Sequence, residues 1–255
     1  MTVSRKGFLQ GMGCTAAGAA LGALGQRQLA PEPQPRGVNI RAPRKQTYSQ
    51  CGEDQIVYFI LGYLNVRQRD YLDVGAWAPD LNNNTYLFYT LGYRGLLIEP
   101  NVEACKKLRE VRPGDRVLEA GIGVTATRQA DYYVMTKSSW NTFSKEEAEH
   151  QVKVSNGTVA IRKVIKMPLL DINQVMAEHF TRAPAFLSVD TQGLELAILK
   201  SIDYRRFRPK VICAETLVTG TNKTIPETAA FMEAQGYVVR GMSFVNTIFV
   251  DSNLI

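Results

Sequence analysis

Tyr71-Leu72-Asp73-Val74-Gly75-Ala76 is the stretch that decides how the rest of this chain is arranged. It reads as a short apolar strand that ends in an acid and a glycine, followed by a polar turn over residues 77–84 and a helix over residues 85–91. In an open α/β sheet, ligands lie at the carboxyl ends of the strands, where the chain turns into the next helix. The stretch therefore predicts the edge of a nucleotide or cofactor site.

A second strand, Gly95-Leu96-Leu97-Ile98-Glu99, also ends in an acid. Glu99 follows Gly75 by roughly twenty-odd residues, which is the separation at which a βαβ unit places a carboxylate beside a ribose. Two acid-ended strands that are joined by one helix therefore predict a site for a cofactor rich in hydroxyl groups.

The kind of cofactor depends on Asp73. A dinucleotide fold begins with G-x-G-x-x-G, whose glycines let a pyrophosphate rest on a helix N-terminus, whereas this chain has one glycine there, preceded by Asp73. The carboxylate would repel a pyrophosphate but would accept hydrogen bonds from an amino-bearing ligand such as the methionine part of S-adenosylmethionine. The alternative is that Asp73 only caps the turn and that Gly75 only supplies a permissive backbone.

The same pattern occurs twice more along the chain. Phe186 to Asp190 is an apolar strand with a terminal acid, followed by a glycine turn and a helix over residues 194–202, and Val211 to Glu215 is a strand that again ends in an acid. The four strands end in Asp73, Glu99, Asp190 and Glu215, which predicts carboxylates along one edge of the sheet. Gathered carboxylates repel and desolvate one another, so we expect a cationic ligand or an altered proton affinity there.

The remaining segments complete an α/β pattern. Periodicity and capping residues predict helices over residues 56–64, 101–111 and 171–180, and apolar runs predict strands over residues 116–120, 132–135 and 159–167. The strand 116–120 runs into Gly121-Ile122-Gly123, where an adenine ring can lie against small residues and backbone. Residues 131–167 interrupt the alternation, which predicts an insertion that forms a lid or a substrate wall. Residues 237–241 and 244–250 predict a hairpin that closes the sheet.

The N-terminus differs in composition from the rest of the chain. Ser4-Arg5-Lys6-Gly7-Phe8-Leu9-Gln10, followed by an apolar run rich in Gly and Ala, resembles a twin-arginine export signal with Lys6 in place of the second arginine. Residues 1–30 are therefore predicted to be a signal of this kind or a disordered leader, residues 31–47 a proline-rich linker, and residues 48–255 the globular domain. Positive charge beyond the apolar run favours the cytoplasm, with export or membrane attachment through this segment as the alternative.

Composition excludes several classes of protein. The chain has 255 residues, of which 45% are hydrophobic and 21% charged, and this suits one sizeable α/β domain plus a tail. Its four cysteines have no C-x-x-C spacing, and its two histidines leave no room for a histidine-rich metal centre. The net charge of +6 is modest, and without a basic block interleaved with aromatic residues no nucleic-acid partner is predicted.

Taken together, the motifs resemble the FkbM-type family of S-adenosylmethionine-dependent methyltransferases. The resemblance rests on Ser49-Gln50-Cys51-Gly52-Glu53-Asp54, residues 71–76, Asn83-Asn84-Thr85, residues 92–101, and Asp190-Thr191-Gln192-Gly193-Leu194-Glu195. Gln192 stands where many family members have a glutamate. The resemblance implies an α/β fold of the Rossmann-like class I methyltransferase type, with a mostly parallel seven-stranded sheet, helices on both faces and a C-terminal antiparallel hairpin.

The resemblance also implies that S-adenosylmethionine is the cofactor, that it lies beside Asp73 to Ala76, and that its ribose hydroxyls bind Glu99. Together with the strand ends described above, this gives a predicted set of cofactor-binding residues: Asp73, Gly75, Ala76, Glu99, Pro100, Gly121, Ile122 and Asp190. The acceptor implied by the family is a hydroxyl group on a sugar or polyketide-like small molecule.

Methyl transfer to an alcohol needs in-line positioning and removal of the hydroxyl proton. The sequence places no histidine well for that task, so Asp190 is the predicted base or orienting group, with Glu215 and Glu195 behind it. Asp190 and Glu215 are therefore the predicted catalytic residues, and no metal requirement is predicted.

Two other classes of function stay open from the sequence. One is a nicotinamide-dependent oxidoreductase on a similar sheet, which the missing glycine fingerprint disfavours and which NAD binding would reveal. The other is a non-catalytic, envelope-associated binding protein that has kept the fold, and its support is the N-terminal segment. Fractionation of the protein with and without residues 1–30 separates this second class from a cytoplasmic enzyme.

Overall fold

A computed structural model describes residues 46–255 of the chain. The twin-arginine-like segment at residues 1–30 and nearly all of the proline-rich segment at residues 31–47 lie outside these described residues. Within residues 46–255, none of the helices combines the length and the apolar character that a membrane span requires.

The strands of the described residues are β1 (Asp70–Val74), β2 (Arg94–Ile98), β3 (Arg116–Leu118), β4 (Gly121–Ile122), β5 (Gln129–Met135), β6 (Ile161–Leu170), β7 (Phe186–Val189), β8 (Val211–Glu215), β9 (Tyr237–Met242) and β10 (Asn246–Asp251). Seven of them form the main sheet, in the order β3-β2-β1-β7-β8-β10-β9. All neighbours from β3 to β8 pair in parallel, whereas β10 runs antiparallel to both β8 and β9. The predicted mostly parallel seven-stranded sheet with a C-terminal antiparallel hairpin is confirmed.

Helices cover both faces of this sheet. They are α1 (Glu53–Tyr63), α2 (Tyr86–Thr90), α3 (Val102–Val111), α4 (Lys145–Val154), α5 (Ile172–His179), α6 (Glu195–Ser201) and α7 (Pro226–Ala234), with two short 3₁₀ helices at Ser138–Trp140 and Ser252–Leu254. Apolar residues of α1, α2 and α3 form the core on one face, and those of α5, α6 and α7 form the core on the other. Sequence periodicity predicted neither α4 nor α7, and the α7 sequence carries only a weak apolar stripe.

Alternation along β1 sends its side chains to the two cores in turn, because successive residues of a strand point to opposite faces. Leu72 and Val74 pack with α5 and α6, whereas Tyr71 packs with α1 and α2. Asp73 shares the face of Tyr71. Since both faces are covered, every residue from Tyr71 to Val74 is buried.

The insertion lies between β3 and β7. Strands β5 and β6 pair antiparallel, and β4 joins the other side of β6 in a separate three-stranded sheet. Helix α4 packs against β5 through Ala148, Met135 and Val159, which form a small core of their own. The prediction of an insertion in this region is confirmed, and it contains a helix capped by Ser144 that the sequence pattern did not predict.

A buried arginine ties the first half of the sheet together. Arg112 is fully buried, and its guanidinium donates to Asp115 at 2.8 Å, to the Tyr71 hydroxyl at 2.9 Å and to Thr85 Oγ1 at 3.0 Å. Asp115 is equally inaccessible and also accepts from the backbone N–H of Gly95 at 2.8 Å. This one charge pair therefore fixes the end of α3 against β1, β2 and the start of α2.

We predict that Arg112→Met destabilises the domain by about 3–5 kcal/mol, because it leaves the Asp115 carboxylate buried without its cationic partner. The matched control is Arg109→Met on the same helix. Arg109 pairs with Glu119 at 3.5 Å, and the two side chains are 50% and 35% exposed. Its loss should therefore cost less than about 1 kcal/mol. Urea unfolding of both variants measures the difference, and equal midpoints would contradict the role given to Arg112.

Candidate functional site

A cavity of about 420 Å³ lies at the carboxyl ends of β1, β2, β7 and β8. The chain moves outward from β1 to β2 and β3 and then returns to β7 on the other side of β1, so the strand order reverses between β1 and β7. In doubly wound sheets, ligands bind in the crevice at such a reversal. The volume is also in the range of small-molecule and cofactor sites, which is roughly 300–1,000 Å³.

Gly75 forms the floor of the cavity because two loops meet at its Cα. Its φ of +88° is in the left-handed region that favours glycine. A Cβ added there would lie 1.7 Å from the carbonyl oxygen of Asp190. The backbone N–H of Asp190 donates to the carbonyl of Val74 at 2.9 Å, and that of Gly75 donates to Ile98 at 2.9 Å. The three strand ends are thus held at a spacing that only a glycine permits.

Glu99 lies beside Gly75 with its carboxylate directed into the site. The side chain is 4% exposed, and its two oxygens each accept one backbone N–H, from Asn101 at 2.8 Å and from Trp77 at 2.9 Å. Burial raises the pKa of Glu99 to about 7, although the hydrogen bonds from these two N–H groups lower it. The negative charges of Asp73 and Asp190 raise this pKa further. A carboxylate has about four lone-pair sites, so each oxygen keeps one for a ligand hydroxyl.

An apolar wall follows Glu99. Gly121 and Ile122 line it together with Tyr132 and Phe143 of the insertion, whose ring centroids are 4.7 Å apart. A Cβ at Gly121 would lie 2.4 Å from the ring of Phe143, so the close fit of these elements depends on that glycine. The surface consists of backbone, small residues and aromatic rings, which suits a flat aromatic ligand group.

The insertion also forms the rim of the cavity. Trp77 donates from Nε1 to Ser138 Oγ at 3.2 Å, and Lys137 Nζ lies 4.3 Å from the ring centroid of Trp140. Trp77 has a φ of +43°, which is uncommon for a non-glycine residue and concentrates at functional sites. The loop after β1 is thereby joined to the insertion across the mouth of the cavity.

Three carboxyl groups gather at the opposite end, on Asp190, Glu195 and Glu215. Each contributes an oxygen, and these atoms lie within 4.8 Å of one another. Asp190 and Glu215 line the cavity, whereas Glu195 is turned into the loop before α6. There it accepts from the N–H of Thr191 at 2.6 Å and from that of Gly193 at 3.1 Å. Glu195 therefore holds the loop in shape, behind the two acids that face a ligand.

Gln192 joins the two cavity acids. Its Nε2 donates to Asp190 Oδ1 and to Glu215 Oε2, both at 2.9 Å. The residue has a φ of +58°, and its carbonyl accepts from Thr142 Oγ1 at 2.7 Å. The side-chain amide is thus anchored by a constrained backbone between the two carboxyls.

The proton affinities of these acids differ. Burial raises the pKa of Glu195 to about 7, with a further contribution from the charge of Asp190. Burial also raises the pKa of Glu215, and the facing charges of Asp190 and Glu195 raise it much further. Burial raises the pKa of Asp190 as well, but hydrogen bonds from Gln192 and Glu215 oppose that rise. The facing charges therefore favour a proton on Glu215, whereas the hydrogen bonds at Asp190 favour its ionised form.

Beyond the acids, the cavity is enclosed by three loops. Gln50 comes from the segment before α1, Leu217 and Thr219 from the loop after β8, and Val245 from the turn between β9 and β10. His150 of α4 lies 2.8 Å from the carbonyl of Thr219 and so fixes that loop. This end of the cavity combines amide, hydroxyl and aliphatic groups.

Six of the eight predicted cofactor-binding residues line the cavity: Gly75, Glu99, Pro100, Gly121, Ile122 and Asp190. Asp73 and Ala76 do not. Asp73 points to the face of α1 and α2 because of strand alternation, and there it accepts from Thr85 at 2.6 Å and Asn83 at 3.2 Å. Ala76 packs in the core on that same face. Neither side chain therefore lines the cavity, and contact of these two residues with the cofactor stays a prediction.

Other cavity residues were not predicted as site residues. Trp77, Tyr132 and Phe143 carry no distinguishing pattern, since single aromatic residues in strands and loops are usual in cores. Gln50 lies within the Ser49–Asp54 motif, and Gln192 was noted only as a departure from a family pattern, so both had a signal. Their contacts become apparent only when separate segments are brought together in the fold.

Several solved structures resemble the fold of this chain. One is an O-methyltransferase from Bacillus cereus in complex with SAH, which has 11% identity over 81% of this chain and 82% of that chain, with a TM-score of 0.42. Another is a putative O-methyltransferase from Klebsiella pneumoniae, which has 10% identity over 82% of this chain and 83% of that chain, with a TM-score of 0.44. A TehB-like SAM-dependent methyltransferase from Corynebacterium glutamicum has 9% identity over 79% of this chain and 88% of that chain, with a TM-score of 0.41. No curated protein sequence matches the chain.

The family comparison is decisive because it covers most of the chain. The sequence model of the methyltransferase FkbM domain family matches residues 73–239 of this chain, from Asp73 in β1 to a residue within β9. This range contains the strand ends that form the cavity, the insertion and the acid cluster. The chain therefore belongs to the FkbM methyltransferase domain family.

Proposed function

We propose that the protein is an S-adenosylmethionine-dependent methyltransferase that methylates a hydroxyl group of a sugar or polyketide-like small molecule. The observation that supports this best is the cavity at the β1/β7 reversal, which has Glu99 at one end and the Asp190–Glu215 pair at the other. Family membership supports methyl transfer as the reaction, and the arrangement of acids supports a hydroxyl acceptor.

The cofactor fits the residues that are present. Gly75 presents bare backbone to the cavity, so a ligand can approach the chain closely there, and Glu99 keeps free lone pairs where ribose hydroxyls would donate. The wall of Gly121, Ile122 and the aromatic residues of the insertion would hold an adenine ring. When bound, S-adenosylmethionine supplies a methyl group activated by a sulfonium.

Asp190 is the residue that we propose takes the proton from the acceptor hydroxyl. It faces the cavity, its backbone is fixed to β1 through Val74, and hydrogen bonding favours its ionised form. Gln192 donates to both Asp190 and Glu215, and the hydrogen bond at Asp190 lowers its pKa against the effect of burial. Proton removal by a well-placed side chain accelerates such reactions by roughly 10²–10⁴-fold, and no metal is needed for this role.

The acceptor end favours a neutral hydroxyl compound. Asp190, Glu195 and Glu215 lie there, and Glu147 of α4 faces Glu215 from behind. Among the described residues that line the cavity, the one cation is Lys137, on the rim beside Trp140. An anionic acceptor such as a sugar phosphate would be repelled by this cluster, whereas the amide and hydroxyl groups of Gln50 and Thr219 suit neutral polyols.

We predict that Gly75→Ala abolishes binding of S-adenosylmethionine to the full-length protein, because the new Cβ would collide with the Asp190 carbonyl. The matched control is Gly92→Ala. Gly92 has a nearly equal φ of +85°, but nothing lies within 4 Å of its added Cβ, so that variant carries the same backbone strain away from the site. Calorimetric titration with S-adenosylmethionine, and separately with NAD, measures the effect. Binding of NAD alone to the wild-type protein would contradict the proposed cofactor.

We predict that affinity for S-adenosylmethionine increases from pH 6 to pH 8. The pKa of Glu99 is about 7, and ribose hydroxyls donate best to its ionised form, so binding at pH 7 should release a proton. Glu99→Gln should remove this pH dependence and weaken binding about 10- to 100-fold, since its amide nitrogen would also face the N–H of Asn101 or Trp77. Glu103→Gln, on the exposed side of α3, is the control. An unchanged pH profile in Glu99→Gln would exclude Glu99 from the ribose site.

We predict that Asp190→Asn lowers turnover at least about 100-fold and leaves cofactor affinity within a few-fold, because the amide cannot accept the proton. The assay measures S-adenosylhomocysteine formed with a panel of neutral methyl glycosides, phenolic and polyketide-like alcohols, and sugar phosphates, in the presence of EDTA. Asp131→Asn, exposed on β5, is the control. Wild-type turnover by Asp190→Asn would remove the proposed role, and a preference for sugar phosphates would contradict the neutral acceptor.

A further inference from the structure

We propose that Gln192 is a positioning residue, whose side-chain amide holds Asp190 and Glu215 in the one arrangement that leaves an unprotonated Asp190 oxygen facing the acceptor hydroxyl. This inference rests on the proposed function and deepens it, because it assigns the control of proton transfer to a residue that has no proton to exchange.

Geometry carries the inference. One nitrogen atom lies 2.9 Å from Asp190 Oδ1 and 2.9 Å from Glu215 Oε2, and an amide group has two hydrogens to donate. Glutamine therefore satisfies one oxygen of each carboxyl at once. A glutamate at this position would offer acceptors to two groups that are already acceptors, and a shorter side chain would not span them.

The backbone at Gln192 indicates that this placement is specific. A φ of +58° costs free energy for a side chain other than glycine, asparagine or aspartate. The Thr142 hydroxyl holds the Gln192 carbonyl at 2.7 Å, and Glu195 binds the N–H groups of Thr191 and Gly193 on either side. The loop is thus fixed at three successive residues in a conformation that directs the amide between the acids.

The surrounding charges explain why a neutral donor is needed. Carboxylates on five neighbouring segments repel the charge of this pair: Glu53 of α1, Asp73 of β1, Glu99 after β2, Glu147 of α4 and Glu195 of α6. Arg112 lies on the far side of Asp73 and is committed to Asp115. Without the amide, the repulsion would be relieved by a second proton, and that proton would occupy the base.

The test is the titration of the carboxyl groups themselves, by ¹³C NMR of full-length protein with labelled Asp and Glu side chains from pH 4 to pH 10. Asp190→Asn and Glu215→Gln assign the two resonances. In Gln192→Gly, where glycine adopts the left-handed backbone without strain, Asp190 should ionise about one to two pH units higher than in the wild type. Gln192→Glu should shift it at least as far.

Asn156→Gly is the matched control, because it relieves a comparable φ of +50° in the exposed turn after α4 and leaves the acid cluster intact. It should titrate like the wild type. In Gln192→Gly, the acid limb of the pH–rate profile should move upward by the same amount as the Asp190 titration. An unchanged Asp190 titration in both Gln192 variants would overturn the proposal and leave Gln192 a packing residue.

Failure of the proposed function gives a different result. The carboxyl titration needs neither cofactor nor acceptor, so a shift in the Gln192 variants would be observed even if the wild-type protein bound no S-adenosylmethionine. That combination would show that Gln192 controls the protonation of Asp190 but that the protein does not transfer a methyl group. It would therefore overturn the proposal that Gln192 serves methyl transfer.

Discussion

The contact between Gly75 and the carbonyl of Asp190 is the constraint on which the site depends. It lies where the strand order of the sheet reverses, so it brings together two loops that are more than a hundred residues apart in sequence. One loop carries Glu99 at its side and the other begins with the proposed base. Because a Cβ at Gly75 would overlap the carbonyl, the distance between the two ends of the cavity is set by backbone atoms, which are less free to move than side chains. The rest of the fold serves to keep these backbones in place.

Buried polar groups rather than apolar packing perform much of that task on the α1–α3 face. Asp73 lies directly before Val74 and Gly75, and its carboxylate is held by Thr85, which also binds Arg112. Burial raises the pKa of Asp73, although the charge of Arg112 and the hydrogen bonds from Thr85 and Asn83 lower it. The network therefore offsets the desolvation of the Asp73 carboxylate only in part. Such networks are costly to bury, but they are directional, so they fix orientation in a way that an apolar contact does not.

The sequence predicted the fold well, and the site in part, for reasons that differ by residue. Strand-end acids gather because parallel strands end at one edge, and this rule correctly brought Glu99 and Asp190 to the cavity. The rule does not bring the side chain of Asp73 to the cavity, since Asp73 lies one residue inside the strand and alternation turns its side chain to the α1 and α2 face. Arg112 was given no role from the sequence, because its partners come from β1, from the segment before α2 and from the turn before β3. The bridging contact of Gln192 likewise requires Glu215, which belongs to a different strand.

The cavity is lined by two kinds of element, and under the proposed function this separates the residues for proton transfer from much of the surface that meets the acceptor. Asp190, Glu215 and Glu99 are attached to strands in the centre of the sheet, whereas Gln50 and Thr219 belong to loops. Loops tolerate substitution and insertion far better than central strands do. Changes in the loops can therefore alter the shape of the acceptor end while the carboxyl pair and the amide between them stay fixed, and one arrangement of acids can serve acceptors of different shapes.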